Sequence, residues 1–253
     1  MANKIRLIAR LEVKNNYLVK GIQLEGLRKL GDPHEFAQRY YAQGIDELLY
    51  LDIVASLYNR NNLSDIVRRT TDDIFIPFTV GGGLRTLADV HNTLQQGADK
   101  VAVNTAALKD PALITQVAEA YGSQCMVLSI QAKRRRGAPG WEAYYDNGRE
   151  HSGRDVIEWA KEGVARGAGE LFLMSVDSEG LGRGMDQELI AAVCAAVSVP
   201  VIAAGGAASA ADIAGAAQNG ASAVALSSLL HYGRATVGGL KDELEALGVE
   251  VRR

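Results

Sequence analysis

A chain of 253 residues, 47% apolar, 23% charged and 6% aromatic, carries enough apolar material for a full-sized core. Its 27 basic and 30 acidic residues leave a formal charge of −3, so neither nucleic acid nor an anionic membrane is an expected partner. Two cysteines, Cys125 and Cys194, stand outside any CxxC or Cys/His spacing, which excludes a disulfide framework and a zinc site, fits a reducing cytoplasm, and leaves no metal or cofactor to expect.

In chain order, the first segment from Met1 to Val13 mixes Lys4, Arg6, Arg10 and Glu12 with apolar residues, unlike the apolar core of a secretory signal. It reads instead as a strand beginning near Arg6. Further strands are expected to begin near Glu47, Ile74, Lys100, Gln124, Glu170, Val199 and Ser222. Helical periods separate them. Asp32-Pro33 and Asp110-Pro111 place a capping acid before a first-turn proline, and Thr86 and Ser209 stand where caps belong. Gly44, Gly97, Gly122, Gly167 and Gly220 mark helix ends.

Self-similarity sharpens the architecture. Pro77 and Pro200 lie 123 positions apart, and the same offset relates Gly82 to Gly205, Gly83 to Gly206, Asp89 to Asp212, Gly97 to Gly220 and Ala98 to Ala221. An offset of 119 relates Leu11-Glu-Val-Lys14 to Ile130-Gln-Ala-Lys133. Eight strand-helix units in two tandem copies predict an α/β fold of the (βα)8 TIM-barrel type. A doubly wound sheet is the competing architecture. The expected organisation is one domain over 1–253, made of half-barrels about 1–122 and 123–253.

Barrel enzymes place their sites at the carboxyl ends of the strands, where backbone N–H groups of glycine-rich loops hold phosphate. Gly82 and Gly83 after the third strand, with Asn104 and Thr105 after the fourth, form one candidate anion site. Gly205 and Gly206 after the seventh, with Ser227 and Ser228 after the eighth, form its duplicate. A long substrate with phosphate at each end would fit. Glycines that only shape the turns are the plain alternative. Between the two sites stand Glu12 and Gln131, related by the duplication, of which only the first is a carboxylate able to move a proton. Asp52 and Asp177 are the other rim acids, each a candidate for chemistry, for helix capping, or for pairing with Lys20 or Lys133. Arg10 shares the inward face of Glu12 and needs a partner in the barrel interior. At the strand starts, Arg6, Glu47, Lys100 and Glu170 supply two charges of each sign, either as a ring across the barrel floor or as ordinary surface pairs. The histidines have no ligand spacing, and the basic run Lys133–Arg136 reads as a solvated hairpin tip after the fifth strand, with contact to a substrate phosphate at the rim as the alternative.

The motifs VKG at 19–21, GDP at 31–33, GIDELLYLDIVAS at 44–56, IPFTVGGG at 76–83, GADKVAVNTAA at 97–107, GSQ at 122–124 and GAGE at 167–170 closely resemble the cyclase subunit family of imidazole glycerol phosphate synthase. The resemblance runs from Ile5 to Arg252. It implies a cytoplasmic barrel that docks a glutaminase subunit on its amino-terminal face, passes ammonia along the axis, and adds it to a bis-phosphorylated ribulosyl substrate at the far face, as a lyase of histidine biosynthesis. It implies phosphate sites at the two glycine clusters, a salt-bridged ammonia gate at Arg6, Glu47, Lys100 and Glu170, and retained site residues Lys20, Asp52, Asn104, Thr105 and Asp177.

The chain departs from the family at its chemistry. Glu12 and Gln131 occupy the two catalytic aspartate positions, Arg10 replaces a small lumen residue, and an acid-glycine-threonine motif reads Glu179-Gly180-Leu181. On these departures the leading expectation is a diverged paralogue with cyclase activity lost or altered. Such a paralogue would feed ammonia to a sugar amidotransferase in surface polysaccharide synthesis. An authentic cyclase subunit is the alternative. A non-catalytic scaffold that activates a glutaminase is a third.

Overall fold

Side chains along a strand alternate between two faces, and the first strand shows what that alternation builds. Leu7, Ala9, Leu11 and Val13 point outward into the packed helices, while Arg6, Ile8, Arg10 and Glu12 point inward. A computed structural model describes residues 4–55 and 64–253; Ser56, the last residue of the GIDELLYLDIVAS motif, lies outside them. The described chain runs β1 (Arg6–Lys14), β2 (Tyr17–Ile22), β3 (Glu25–Gly31), α1 (Pro33–Ala42), β4 (Glu47–Asp52), α2 (Ser64–Thr71), β5 (Phe78–Gly81), α3 (Leu87–Gln95), β6 (Lys100–Val103), α4 (Thr105–Lys109), α5 (Ala112–Tyr121) and β7 (Met126–Arg134). It continues through β8 (Trp141–Tyr145), β9 (Glu150–Asp155), α6 (Val156–Ala165), β10 (Glu170–Ser175), α7 (Gln187–Ala196), β11 (Val201–Ala204), α8 (Ala210–Gln218), β12 (Ala223–Leu226), α9 (Ser228–His231) and α10 (Val237–Ala246).

Eight of the strands are parallel and close in the order β1, β4, β5, β6, β7, β10, β11, β12. β1 pairs with β4 on one side, Ile8 opposite Glu47, and with β12 on the other, Arg6 opposite Ala223. An open doubly wound sheet would leave two edges, so the fold is the (βα)8 barrel. Outward apolar residues pack against the helices, and Ile8, Leu49, Ala102, Val127, Phe172 and Ile202 fill the lumen. Each fully buried Leu, Ile, Val or Phe contributes roughly 1.5–3 kcal/mol.

Caps form where the sequence places them. Thr86 and Ser209 each close a capping box with Asp89 and Asp212, and the Asp32 side chain accepts from His34 N at 2.8 Å. Asp110 accepts from Ala112 N at 3.1 Å just before α5. Two strand starts differ from expectation. β5 begins at Phe78 because Ile74 still donates to Thr70 O, and β7 begins at Met126 after a single 3-10 turn over Ser123–Cys125. A hairpin forms where the basic run Lys133–Arg136 predicts one, between β7 and β8, while β2, β3 and β9 are additions to the expected pattern. β3 reads EGLRKLG and is largely exposed, so it carries no apolar alternation to announce it.

Candidate functional site at the barrel mouth

The carboxyl ends of the first-half strands open on a cavity of about 320 Å³. Its wall brings Gly82, Gly83, Asn104 and Thr105 together with Glu12, Asp52 and Gln131, and adds Arg85 and Lys109, two cations that the sequence did not single out. Gly82 has φ +95°, and a Cβ there would run into the backbone of Asp52, so only glycine admits this turn. Asn104 Nδ2 donates to Tyr144 O at 3.1 Å, and Thr105 Oγ1 accepts from Asp146 N at 3.1 Å, so the β8–β9 hairpin fixes both candidate anion-site residues. The duplicate residues Gly205, Gly206, Ser227 and Ser228 sit at the ends of β11 and β12. The loop after β10 lies against them, with Gly184 N donating to Gly206 O at 3.0 Å.

The centre of the mouth holds four charged side chains that are 1–2% exposed: Arg10, Glu12, Lys20 and Glu179. Glu12 sits 3.0 Å from Arg10 Nη2 and 2.8 Å from Lys20 Nζ, and Glu179 pairs with both cations. Two charges of each sign cancel, which is the condition for keeping such groups out of water. Burial works against the charge of Glu179, but Arg10 and Lys20 outweigh it and hold its carboxyl down at about 2. Burial likewise opposes the charges of Arg10 and Lys20, and the two carboxylates raise both above their ordinary values. Glu12 and Arg10, two apart on one strand face, do pair. Glu179 is the residue that sequence reasoning passed over. Its only signal is its place in the departed acid-glycine-threonine motif.

The other rim residues serve the backbone. Asp52 Oδ1 accepts from Val54 N at 3.0 Å and Ala55 N at 2.9 Å, a capping arrangement. Asp177 Oδ2 accepts from Arg134 N at 2.8 Å. Pairing with Lys20 or Lys133, raised for these acids, gives way to other partners: Lys20 is taken by Glu12 and Glu179, and Lys133 Nζ donates to Gly148 O at 2.5 Å. The basic run itself spans the end of β7 and the turn into β8.

The two hairpin tips meet above the cavity. Asn147 Nδ2 donates to Leu24 O at 3.3 Å, and Arg149 lies 3.2 Å from Glu25. Leu24 holds φ +66°, a left-handed conformation that leucine seldom adopts, and its side chain joins the lumen cluster with Phe172 and Met174.

At the opposite end of the axis, Arg6 lies 2.6 Å from both Glu47 and Glu170, and Lys100 lies 2.8 Å from Glu170 and 3.7 Å from Glu47. The four residues thus close a ring across the floor, beneath a basin of about 790 Å³ lined by Lys4, Arg6, Lys100, Gln124, Glu170 and Arg252 among others. Among the described residues no helix is long and apolar enough to cross a membrane.

Comparison with known proteins gives consistent matches. A family model described as histidine biosynthesis protein matches residues 6–236. The imidazole glycerol phosphate synthase subunit HisF of Legionella pneumophila is 56% identical over 204 residues, covering 81% of this chain and 96% of that protein. The HisF subunit of Myxococcus xanthus is 50% identical, covering 98% of this chain and 97% of its own, and that of Bifidobacterium adolescentis is 47% identical over the whole of both.

Proposed function

The chain belongs to the histidine biosynthesis protein family, and from that premise we propose that it is the cyclase subunit of an imidazole glycerol phosphate synthase. In this reading it is cytoplasmic, forms a heterodimer with a glutaminase docked over the floor basin, and receives ammonia along the barrel axis. The substrate is a ribulosyl bis-phosphate whose ends occupy Gly82, Gly83, Asn104 and Thr105 on one side and Gly205, Gly206, Ser227 and Ser228 on the other. The observation that carries the reading is the mouth cavity, in which a glycine-rich anion cradle and the inward residues Glu12 and Gln131 face one space. The relatives' shared name supports this reading over the diverged one. Residues 1–253 are read as one domain of two half-barrels, supported by the same strand-hairpin-helix order at β1–α1 and β7–α6.

A specific observation favours the second reading, in which cyclase activity is lost or altered and ammonia goes on to a sugar amidotransferase. Gln131 has no titratable proton, and the carboxylate of Glu12 is already engaged by Arg10 and Lys20. The usual pair of proton-moving groups is therefore reduced to one, and that one is committed to ion pairs.

One assay separates the readings. The purified chain is given the ribulosyl bis-phosphate with ammonium salt, then with glutamine and the glutaminase subunit of an imidazole glycerol phosphate synthase. Turnover with ammonium at the rate of an ordinary cyclase supports the first reading and removes the second. Glutaminase activation without product supports the second or a scaffold role, and absence of both turnover and glutaminase binding removes all three.

A further inference from the structure

Among the described residues, the Nε of Arg10 and the Oε1 of Gln131 are buried polar atoms with no protein partner. The first is a donor and the second an acceptor. They belong to one level of the lumen: Arg10 Nη1 lies 2.9 Å from Met174 Sδ, and Met174 is the strand partner of Gln131 across β10 and β7. The remaining guanidinium nitrogens are committed, Nη1 to Met174 and Nη2 to Glu12 and Glu179. Nε is the one guanidinium nitrogen left with no partner. Gln131, Glu12 and Met174 all line the mouth cavity, so the level of these two atoms is where the lumen meets the site. Buried donors and acceptors are rarely left unpaired, and a small polar molecule is the usual occupant where both occur together.

On the proposed reading that ammonia travels the axis, we propose that Arg10 Nε–H and Gln131 Oε1 form a binding site for one small uncharged hydride, ammonia in the working complex. An ammonia molecule offers a lone pair to the Nε–H and N–H groups to the glutamine carbonyl. Ammonium has no lone pair for the Nε–H and would leave that donor unpaired, so the site favours the neutral species. This assigns a use to both departures. Arg10 becomes a hydrogen-bonding station at the top of the axis and not an obstruction. Gln131 supplies an acceptor whose protonation does not change with pH, where an aspartate would titrate. Water competes for the same two atoms, and the test distinguishes it.

The full chain, labelled with ¹⁵N-arginine, is titrated with ammonium chloride near pH ~9 and near pH ~6 at equal total ammonium, with sodium chloride as the ionic-strength control. The Arg10 Nε–H resonance is expected to move with ammonium chloride at the higher pH alone. Gln131→Leu is expected to keep the resonance but weaken the response about tenfold, the effect of one lost hydrogen bond. A resonance that stays still, moves equally at both pH values or with sodium chloride, contacts water without responding to ammonia, or responds equally in Gln131→Leu overturns the site. The experiment needs neither glutaminase nor turnover. Missing cyclase activity therefore counts against the proposed function alone, while a silent resonance in a chain that turns over with ammonium counts against this site alone.

Discussion

The two ends of the barrel axis carry the same charges, two cations and two carboxylates, in different physical settings. On the floor, Arg6, Glu47, Lys100 and Glu170 come from four barrel strands and form a ring open to a basin, with the Lys100 side chain 20% exposed. At the mouth, Arg10 and Glu12 come from β1, Lys20 from a hairpin and Glu179 from the loop after β10, and all four are nearly sealed from water. On the floor Arg6, Glu47 and Glu170 are themselves buried, and only Lys100 reaches the water of the basin, so screening eases the loss of that one member. A dry cluster depends on exact neutrality, so removing one member strands the others. The floor ring ties barrel strands to one another with one member at the water, whereas the mouth cluster fastens a hairpin and a loop onto the barrel.

The largest expected effect tests whether the mouth still holds its chemistry. On the reading in which cyclase activity is lost or altered, converting Glu12→Asp together with Gln131→Asp restores an aspartate at both positions, and ammonium-driven turnover is expected to rise ~10²- to 10⁴-fold, read by steady-state assay with the ribulosyl bis-phosphate. An unchanged rate would show that proton transfer at these positions does not limit the reaction.

Breaking the mouth by Glu179→Gln is expected to cost about 3–5 kcal/mol, because Arg10 and Lys20 then share the single carboxylate of Glu12. Urea unfolding measures it. Arg10→Met combined with Glu179→Gln restores the balance of charge and should lose clearly less than the two single losses together. Strict additivity would mean that the cluster does not act as a unit.

The floor should respond more weakly. Lys100→Met is expected to cost less than Glu179→Gln in urea unfolding, because the Lys100 side chain is 20% exposed and water can reach the carboxylates it leaves with Arg6. Its effect belongs instead on the coupling between glutamine hydrolysis and product formation, measured as the ratio of glutamine-driven to ammonium-driven rates. A loss of stability as large as that of Glu179→Gln would erase the contrast between the two ends.

The smallest effect is a slope. Burial holds the imidazole of His231 down at about 3 from an ordinary 6.5, while its Nε2 faces Arg10 O at 3.0 Å and its Nδ1 faces Tyr40 Oη at 2.7 Å. The unfolded chain takes up this proton below pH 6.5 and the native chain only near 3, so stability falls as pH falls through that window. Glu179, depressed from 4.5 to about 2, adds a second loss over the lower window. His231→Gln should remove the decline between pH 6.5 and 4.5 in acid unfolding curves and lessen it between 4.5 and about 3, leaving the loss that belongs to Glu179.

Barrel closure, the helix caps and the floor ring were legible because each rests on local pattern. A strand start fixes where Arg6, Glu47, Lys100 and Glu170 stand, and parallel register at the amino ends brings them to one level. Of the hairpins, the turn at Lys133–Arg136 was legible and β2–β3 was not. The exposed and charged β3 carries no alternation, and the turn at Gln23 and Leu24 uses left-handed residues without a glycine to advertise it. The partners of Lys20 were hidden for the same reason, since Glu179 lies 159 residues away on a loop with no fixed register to the hairpin.

The sequence by itself determined the barrel, its doubling, the glycine turns and the absence of a second carboxylate opposite Glu12, because these depend on residue type, on period and on repeated spacing. Tertiary structure alone decided that Arg10, Glu12, Lys20 and Glu179 neutralise one another in a dry cluster. The reason is physical: a buried charge is tolerable only when opposite charges converge on it in three dimensions, and that convergence depends on how a hairpin and a loop fold back over the mouth.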